Sequence, residues 1–124
     1  MILFPNCKIN LGLEVFDKRA DGFHNIETIF YPVHWCDVLE ALPSPKEPSR
    51  TKKFYFETKG SMIDGNESDN LCVKAFRLFE REFKIPPVKM CLLKNIPIGS
   101  GLGGGSSDAA FTLKLLNDLF DLKL

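Results

Sequence analysis

The sequence predicts an α+β domain, on three observations. Segments with an apolar residue at every second position fill the first half, and two segments with helical apolar spacing lie in the second. A glycine-rich run separates the last strand-like segment from the last helical one. Residues 8–16 alternate, with Ile9, Leu11, Leu13 and Val15 on one side and Lys8, Asn10, Gly12 and Glu14 on the other, the pattern of a half-buried strand. DKRADG at 17–22 has the composition of a turn. Residues 26–33 and 38–42 read as further strands, 43–51 as a loop with three prolines, and 53–58 as a strand again. The stretch 60–69 is polar. With Ser68 or Asp69 as N-cap, a helix over 71–83 places Cys72, Ala75, Phe76, Phe79 and Phe83 on one face, and Pro86-Pro87 closes it. A short apolar strand over 88–93 precedes the glycines, and a second amphipathic helix runs from about Ser107 to Phe120.

At 124 residues the chain predicts one domain. Lys+Arg and Asp+Glu both number 16, so no net field draws the protein to nucleic acid or membranes, and no basic cluster exceeds Arg50, Lys52 and Lys53. Cys7, Cys36, Cys72 and Cys91 stand far apart, which predicts reduced, mostly buried thiols rather than a zinc site or a disulfide framework. MILFPNCK lacks the basic n-region of a signal peptide, and no stretch approaches the roughly 18 apolar residues of a membrane span. A cytoplasmic protein, without nucleic-acid or membrane partners, is the expectation.

Residues 96–111 read IPIGSGLGGGSSDAAF, with five glycines between Gly99 and Gly105. Such a cluster carries a folding-entropy cost that a plain turn does not require. Where a glycine loop opens a helix, free N–H groups and the helix dipole favour an anion, most commonly phosphate. Ser106 and Ser107 add hydroxyls that can also act as caps. The Walker A pattern fails because Gly105 occupies its lysine position. The dinucleotide pattern G-x-G-x-x-G fits Gly99, Gly101 and Gly104, but it belongs in the first βα turn of a nucleotide-binding unit, and here it follows several strands.

Residues 97–107, PIGSGLGGGSS, resemble a third phosphate loop, that of the GHMP kinases, P-x-G-x-G-L-G-[SG]-S-[SA], which wraps ATP phosphates without a Walker lysine. Residues 5–30, PNCKINLGLEVFDKRADGFHNIETIF, resemble the substrate motif of one branch of that family, P-A-K-I-N-L-x-L followed by R-x-D-G-[YF]-H. That branch transfers the γ-phosphoryl of ATP to the 2-hydroxyl of 4-(cytidine 5'-diphospho)-2-C-methyl-D-erythritol in non-mevalonate isoprenoid biosynthesis. The resemblance implies a two-layer α+β fold like domain 2 of ribosomal protein S5, incomplete at the C-terminus. It makes 1–124 a truncated N-terminal ATP-binding domain without its C-terminal domain. Pro5 stands three residues before Lys8 instead of two, Cys7 replaces an alanine, and Phe23 replaces the commoner tyrosine.

By the same resemblance, Lys8 is the catalytic lysine near the accepting hydroxyl and Asn10 binds the erythritol end. Phe23 and His24 bind cytosine, one by stacking and one by hydrogen bonding, while Asn70 lies near adenine unless it is a helix cap. Pro97, Gly99, Gly101, Leu102, Gly103, Gly104, Gly105, Ser106 and Ser107 bind ATP, and Mg²⁺ arrives through the phosphates, with Ser106 or Ser107 as its candidate ligands. The family's general base, an aspartate, falls beyond Leu124. Asp108 is expected to cap a helix or face Mg²⁺ indirectly, and Asp17 and Asp21 to belong to a surface turn. The 124 residues alone are therefore expected to be inactive, and the last helix shows no glycine C-cap. A side chain at Gly103 or Gly104 is expected to block phosphates while leaving the core alone. The alternatives are a non-catalytic nucleotide-binding module, another small-molecule kinase of the family, and a nicotinamide-binding oxidoreductase.

Overall fold

A computed structural model describes residues 1–44, 53–61 and 65–124. Most of the proline loop expected at 43–51, with Arg50 and Lys52, and the middle of the polar stretch 60–69 lie outside the described residues. In chain order the strands are β1 (Ile2–Leu3), β2 (Asn6–Lys18), β3 (His24–Cys36), β4 (Val38–Pro43) and β5 (Phe54–Gly60). A 3-10 turn (Glu67–Asp69), helix α1 (Leu71–Glu82), strand β6 (Val88–Lys94) and helix α2 (Gly104–Phe120) follow. No helix among the described residues is long and apolar enough to cross a membrane.

One sheet has the order β1-β4-β6-β5, with β5 and β6 parallel and the other pairs antiparallel. The parallel pair needs a crossover, which α1 supplies. Val88, Met90 and Leu92 alternate inward along β6, join Leu39 and Ala41 of β4, and meet Cys72, Phe76 and Phe79 of α1 and Leu115 and Leu116 of α2. Phe54 stacks on Phe76 with ring centroids 3.9 Å apart. Helices on one face and a sheet beneath give the expected two-layer α+β arrangement.

Helix α1 starts from neither Ser68 nor Asp69. Those residues close the 3-10 turn, and extended Asn70 is the N-cap, its side chain accepting from Cys72 N at 2.9 Å. Helix α2 begins at Gly104, three residues before the expected start, because left-handed Gly103 (φ 73°) serves as its N-cap and the first turn opens on glycines that propensity alone assigns to a loop. It ends at Asp121, which takes the left-handed cap conformation (φ 50°) without being glycine.

The other sheet is the two-stranded ribbon β2–β3, 13 residues on each side. Here the expected half-buried strand is corrected. Exposure rises from 38% at Ile9 to 57% at Val15. The faces also differ from a plain period of two. Leu11 pairs with Ile29 and Leu13 with Thr28, so Gly12 (φ +67°) is an extra residue, a bulge that swaps sides. Adjacent Thr28 and Ile29 face opposite ways, so Leu11 and Leu13 do too. Lys8 and Asn10 thus share a face with Leu13 and Val15, not with Glu14. Thr28 Oγ1 donates to Gly12 O at 2.5 Å and fixes the bulge.

Candidate active site

Gly99, Gly101 and Gly103 all have φ between +71° and +76°, a region that disfavours other side chains, so the alternation of glycines along this loop has a backbone cause. Gly103 is the N-cap of α2 and provides no side-chain cap, and the first helical bond runs from Ser107 N to Gly103 O. The N–H groups of Gly104, Gly105 and Ser106 therefore open the helix without intrahelical acceptors. Exposed Ser106 and half-buried Ser107 lie within the first turn instead of capping it. Ser100 Oγ bonds Pro97 O at 2.8 Å and tightens the loop's entry.

The expectation that a side chain at Gly104 leaves the core alone is overturned. A Cβ there would lie 2.9 Å from Ile96 Cγ2 and 3.0 Å from Lys94 Nζ, pointing into the protein. At Gly103 the same atom would meet Lys8 Cε at 3.1 Å.

Lys8 is drawn onto this loop. Its N–H donates to Leu102 O (3.0 Å), and its ammonium donates to Asn10 Oδ1 (2.8 Å) and Gly101 O (3.1 Å). The ammonium also stands 5.2 Å from the centre of the Phe30 ring across the ribbon. The structure thus unites Lys8, Asn10 and the glycine loop at the mouth of α2. Asn70 lines a neighbouring hollow of about 180 Å³ with Leu71, Leu92, Ile98 and Gly105. Its Oδ1 serves as the α1 cap.

Phe23 and His24 stand elsewhere, at the ribbon's tip. His24 pairs with Lys18, ten residues along β2 from Lys8, a straight-strand span of about 33 Å. The tip is built by the residues before them. Arg19 Nη2 bonds Asp21 Oδ2 (2.5 Å), Arg19 Nη1 bonds Asn25 Oδ1 (3.1 Å), and Phe23 N donates to Asp21 Oδ1 (3.1 Å). The Phe23 ring is left 73% exposed. His24 Nδ1 lies 2.8 Å from Phe16 O; since a carbonyl only accepts, Nδ1 carries the proton and Nε2 is the acceptor. The R-x-D-G motif contains these turn residues, though turn composition alone gave them no role.

Beneath the loop lies a group that the sequence reading missed. Lys94 is buried and bonds both Asp37 Oδ2 and Asp108 Oδ2, the latter at 2.8 Å. Asp108 therefore does not cap the helix, correcting that half of the expectation for it. Its Oδ1 is buried with no hydrogen-bond partner among the described residues. Burial pushes the Asp108 carboxyl up to about 6, against the lowering pull of Lys94 and with help from negative Asp37. Burial by itself would lower the Lys94 ammonium, but the hydrogen bonds to Asp108 and Asp37 outweigh it and raise it above 10.5. The available signal was Lys94 itself, a charge on the inward phase of a strand, which requires a partner. All four cysteines are unpaired; Cys7 and Cys72 are buried and Cys36 and Cys91 half-buried. Burial pushes the Cys72 thiol up to about 12, so it stays protonated.

A two-layer domain, an uncapped glycine-opened helix and a lysine held against the loop are features of a phosphate-handling protein. Residues 70–124 match the profile of the GHMP kinases N terminal domain. Over all 124 residues the chain is 55% identical to 4-diphosphocytidyl-2-C-methyl-D-erythritol kinase of Cytophaga hutchinsonii, covering 43% of that protein. Over the same length it is 56% identical to the enzyme of that name from Bacteroides thetaiotaomicron, covering 44%. The crystal structure of a 4-(cytidine 5'-diphospho)-2C-methyl-D-erythritol kinase superposes with a TM-score of 0.79 at 34% identity, over the whole chain and 42% of that structure. The homoserine kinase structure from Cytophaga hutchinsonii, at 18% identity and a TM-score of 0.63 over 77% of this chain and 30% of its own, shares the fold. The chain spans less than half the length of these relatives. The match of a kinase profile across the glycine run stands against the oxidoreductase reading of the glycines.

Proposed function

We propose that this chain supplies the ATP- and substrate-binding part of a kinase that phosphorylates the 2-hydroxyl of 4-(cytidine 5'-diphospho)-2-C-methyl-D-erythritol. The observation that carries it is Lys8, whose ammonium sits on Gly101 O and Asn10 Oδ1 at the open N-terminus of α2. An anion held by the N–H groups of 104–106 places its charge beside that ammonium, which then stabilises charge on the transferring phosphoryl group. Ser106 and Ser107, hard hydroxyl ligands in the first turn, are the side chains that would hold Mg²⁺, which would neutralise charge on the ATP phosphates. Asn70 and the hollow beside Gly105 take the base of ATP. Asn10 orients the acceptor sugar, and the ribbon tip takes cytosine, Phe23 by stacking and His24 Nε2 by accepting from the exocyclic amine. A uracil, with an oxygen at that position, meets an acceptor instead of offering a donor.

We assign the base to residues beyond these. Asp108 gives one oxygen to Lys94, Asp21 is bonded to Arg19 and Phe23 N, and Asp17 lies near the ribbon tip, nine residues along β2 from Lys8. We therefore read 1–124 as one domain of the working kinase. ADP release with Mg-ATP and the cytidine diphosphate substrate tests this, comparing this chain, a chain extended beyond Leu124, and the extended chain carrying Lys8→Ala. The extended chain turns over, and the short one is at least about 100-fold slower for lack of a base. Lys8→Ala lowers kcat more than it raises KM. Equal turnover by short and extended chains, or full activity in Lys8→Ala, overturns the assignment.

A further inference from the structure

Lys94 joins three segments of the chain and touches the glycine loop from within. It follows Val88, Met90 and Leu92 on the inward phase of β6, and its side chain is 3% exposed. Asp37, on the other side of its ammonium, uses its second oxygen to accept from Asn95 N (2.6 Å) and Ile96 N (2.8 Å). The N–H of Asp37 donates to Pro5 O at 2.9 Å. The cluster therefore grips the loop where it leaves β6, at Asn95 and Ile96, and just past its entry into α2, at Asp108. Through Pro5 it also holds the start of the strand that carries Lys8.

A buried ion cluster is an inefficient source of stability, since desolvation offsets most of the attraction and apolar groups of equal volume pack as well. Its distinct property is directional. Charge-assisted hydrogen bonds fix donor and acceptor positions that apolar contacts leave free to slide. This loop needs such fixing, because nothing stands within 4 Å of where a Cβ would be at Gly99 or Gly101. The crest is tied to β2 by Lys8, at Gly101 O and Leu102 O, and the place of the loop over the sheet depends on its two ends.

We propose that Lys94 is a positioning residue for the anion loop: with Asp37 and Asp108 it sets both loop ends and the spacing between the loop and Lys8. The proposal rests on the reading above for the identity of the anion, and on this structure for the positioning. The test combines Lys94→Gln with Asp108→Asn, which removes one cation and one anion, keeps the cluster's net charge, and replaces charge-assisted bonds with neutral ones. Amide hydrogen exchange over residues 95–105 then accelerates about tenfold while α1 and β6 keep their protection, and affinity for Mg-ATP falls about tenfold. Affinity for CDP, a probe of the ribbon tip, stays within about twofold. A merely structural role would lower protection throughout and leave the Mg-ATP affinity of folded molecules unchanged, and that result overturns the proposal. If the double variant does not fold, Asp108→Asn alone, which retains the Asp37 bond, gives the same ordering with changes of about threefold, and unchanged loop exchange in it is equally fatal. If the wild-type chain binds no Mg-ATP, the nucleotide reading falls, while locally faster exchange in the variant still upholds the positioning role.

Discussion

Replacing Asp108 by asparagine should remove a pH dependence from the protein's stability between about pH 4 and pH 8. The folded Asp108 carboxyl holds its proton up to about 6, against an ordinary 3.8, because burial outweighs the attraction of Lys94. The native state therefore binds this proton more tightly than the unfolded state. Stability from this group is present in full below about pH 4 and is lost as pH rises through about 6. At 1.36 kcal/mol per pH unit, the loss amounts to about 3 kcal/mol by pH 8. Asparagine copies the protonated form: its oxygen accepts from Lys94, and it carries no charge to desolvate. Urea unfolding of wild type and Asp108→Asn, without nucleotide or metal, measures the difference at each pH and cancels the other carboxylates. The variant's advantage should grow by about 2.4 kcal/mol from pH 4 to pH 8, whatever constant offset its amide adds. Parallel stability profiles would show that Asp108 titrates as an ordinary carboxyl and would refute the reasoning.

Two further substitution pairs separate roles that the sequence alone runs together. Gly104→Ala forces a Cβ to 2.9 Å from Ile96 Cγ2 and should cost about 1–3 kcal/mol in a thermal or urea melt. Gly103→Ala strains a left-handed cap by about 1–2 kcal/mol and crowds Lys8, so Mg-ATP affinity should fall more than stability does; the reverse order in the pair would contradict the assigned directions. At the ribbon tip, Phe23→Ala should weaken CDP and UDP binding alike, by about 0.5–1.5 kcal/mol for a lost aromatic pair. His24→Ala should mainly erode the preference for CDP, and calorimetric titrations with both nucleotides in which neither variant changes would remove this surface from substrate binding.

The parts of the fold read most directly from sequence are those where one period runs unbroken. Helix α1 buries Cys72, Ala75, Phe76 and Phe79 as its spacing requires, and β6 buries alternate residues. The ribbon was misread because a single glycine resets its phase. Gly12 looked like one more polar-side residue of an alternating strand, but in the left-handed region it is the bulge that puts Leu13 beside Asn10 instead of beside Leu11. The α1 cap was misplaced for a related reason: Ser68, Asp69 and Asn70 are all good caps, and the 3-10 turn that consumes the first two leaves no sequence mark. Lys8 and the loop glycines were found through their motifs, whereas Asp37, Lys94 and Asp108 form a cluster only in three dimensions, bonding across 57 and 14 residues of chain.

These misreadings bear on how the site works. The loop glycines divide into two kinds that the sequence cannot distinguish. Gly99, Gly101 and Gly103 are required by backbone conformation, and Gly104 by the side chains packed beneath it. The first kind lets N–H groups turn toward an anion; the second lets the helix start sit directly on the Lys94 cluster. Lys8 joins the same unit through two bonds to loop carbonyls, at Leu102 and Gly101, so its ammonium is registered to the loop by backbone as well as by side chain. Movement of the loop ends therefore carries Lys8 with it. The ribbon tip, up to about 33 Å away along a straight strand, is tied to this unit only through β2 and β3. The proposed base recognition and the proposed phosphoryl transfer therefore fall on opposite ends of one hairpin, with the register shifts at Gly12 and between Val15 and Lys18 lying between them.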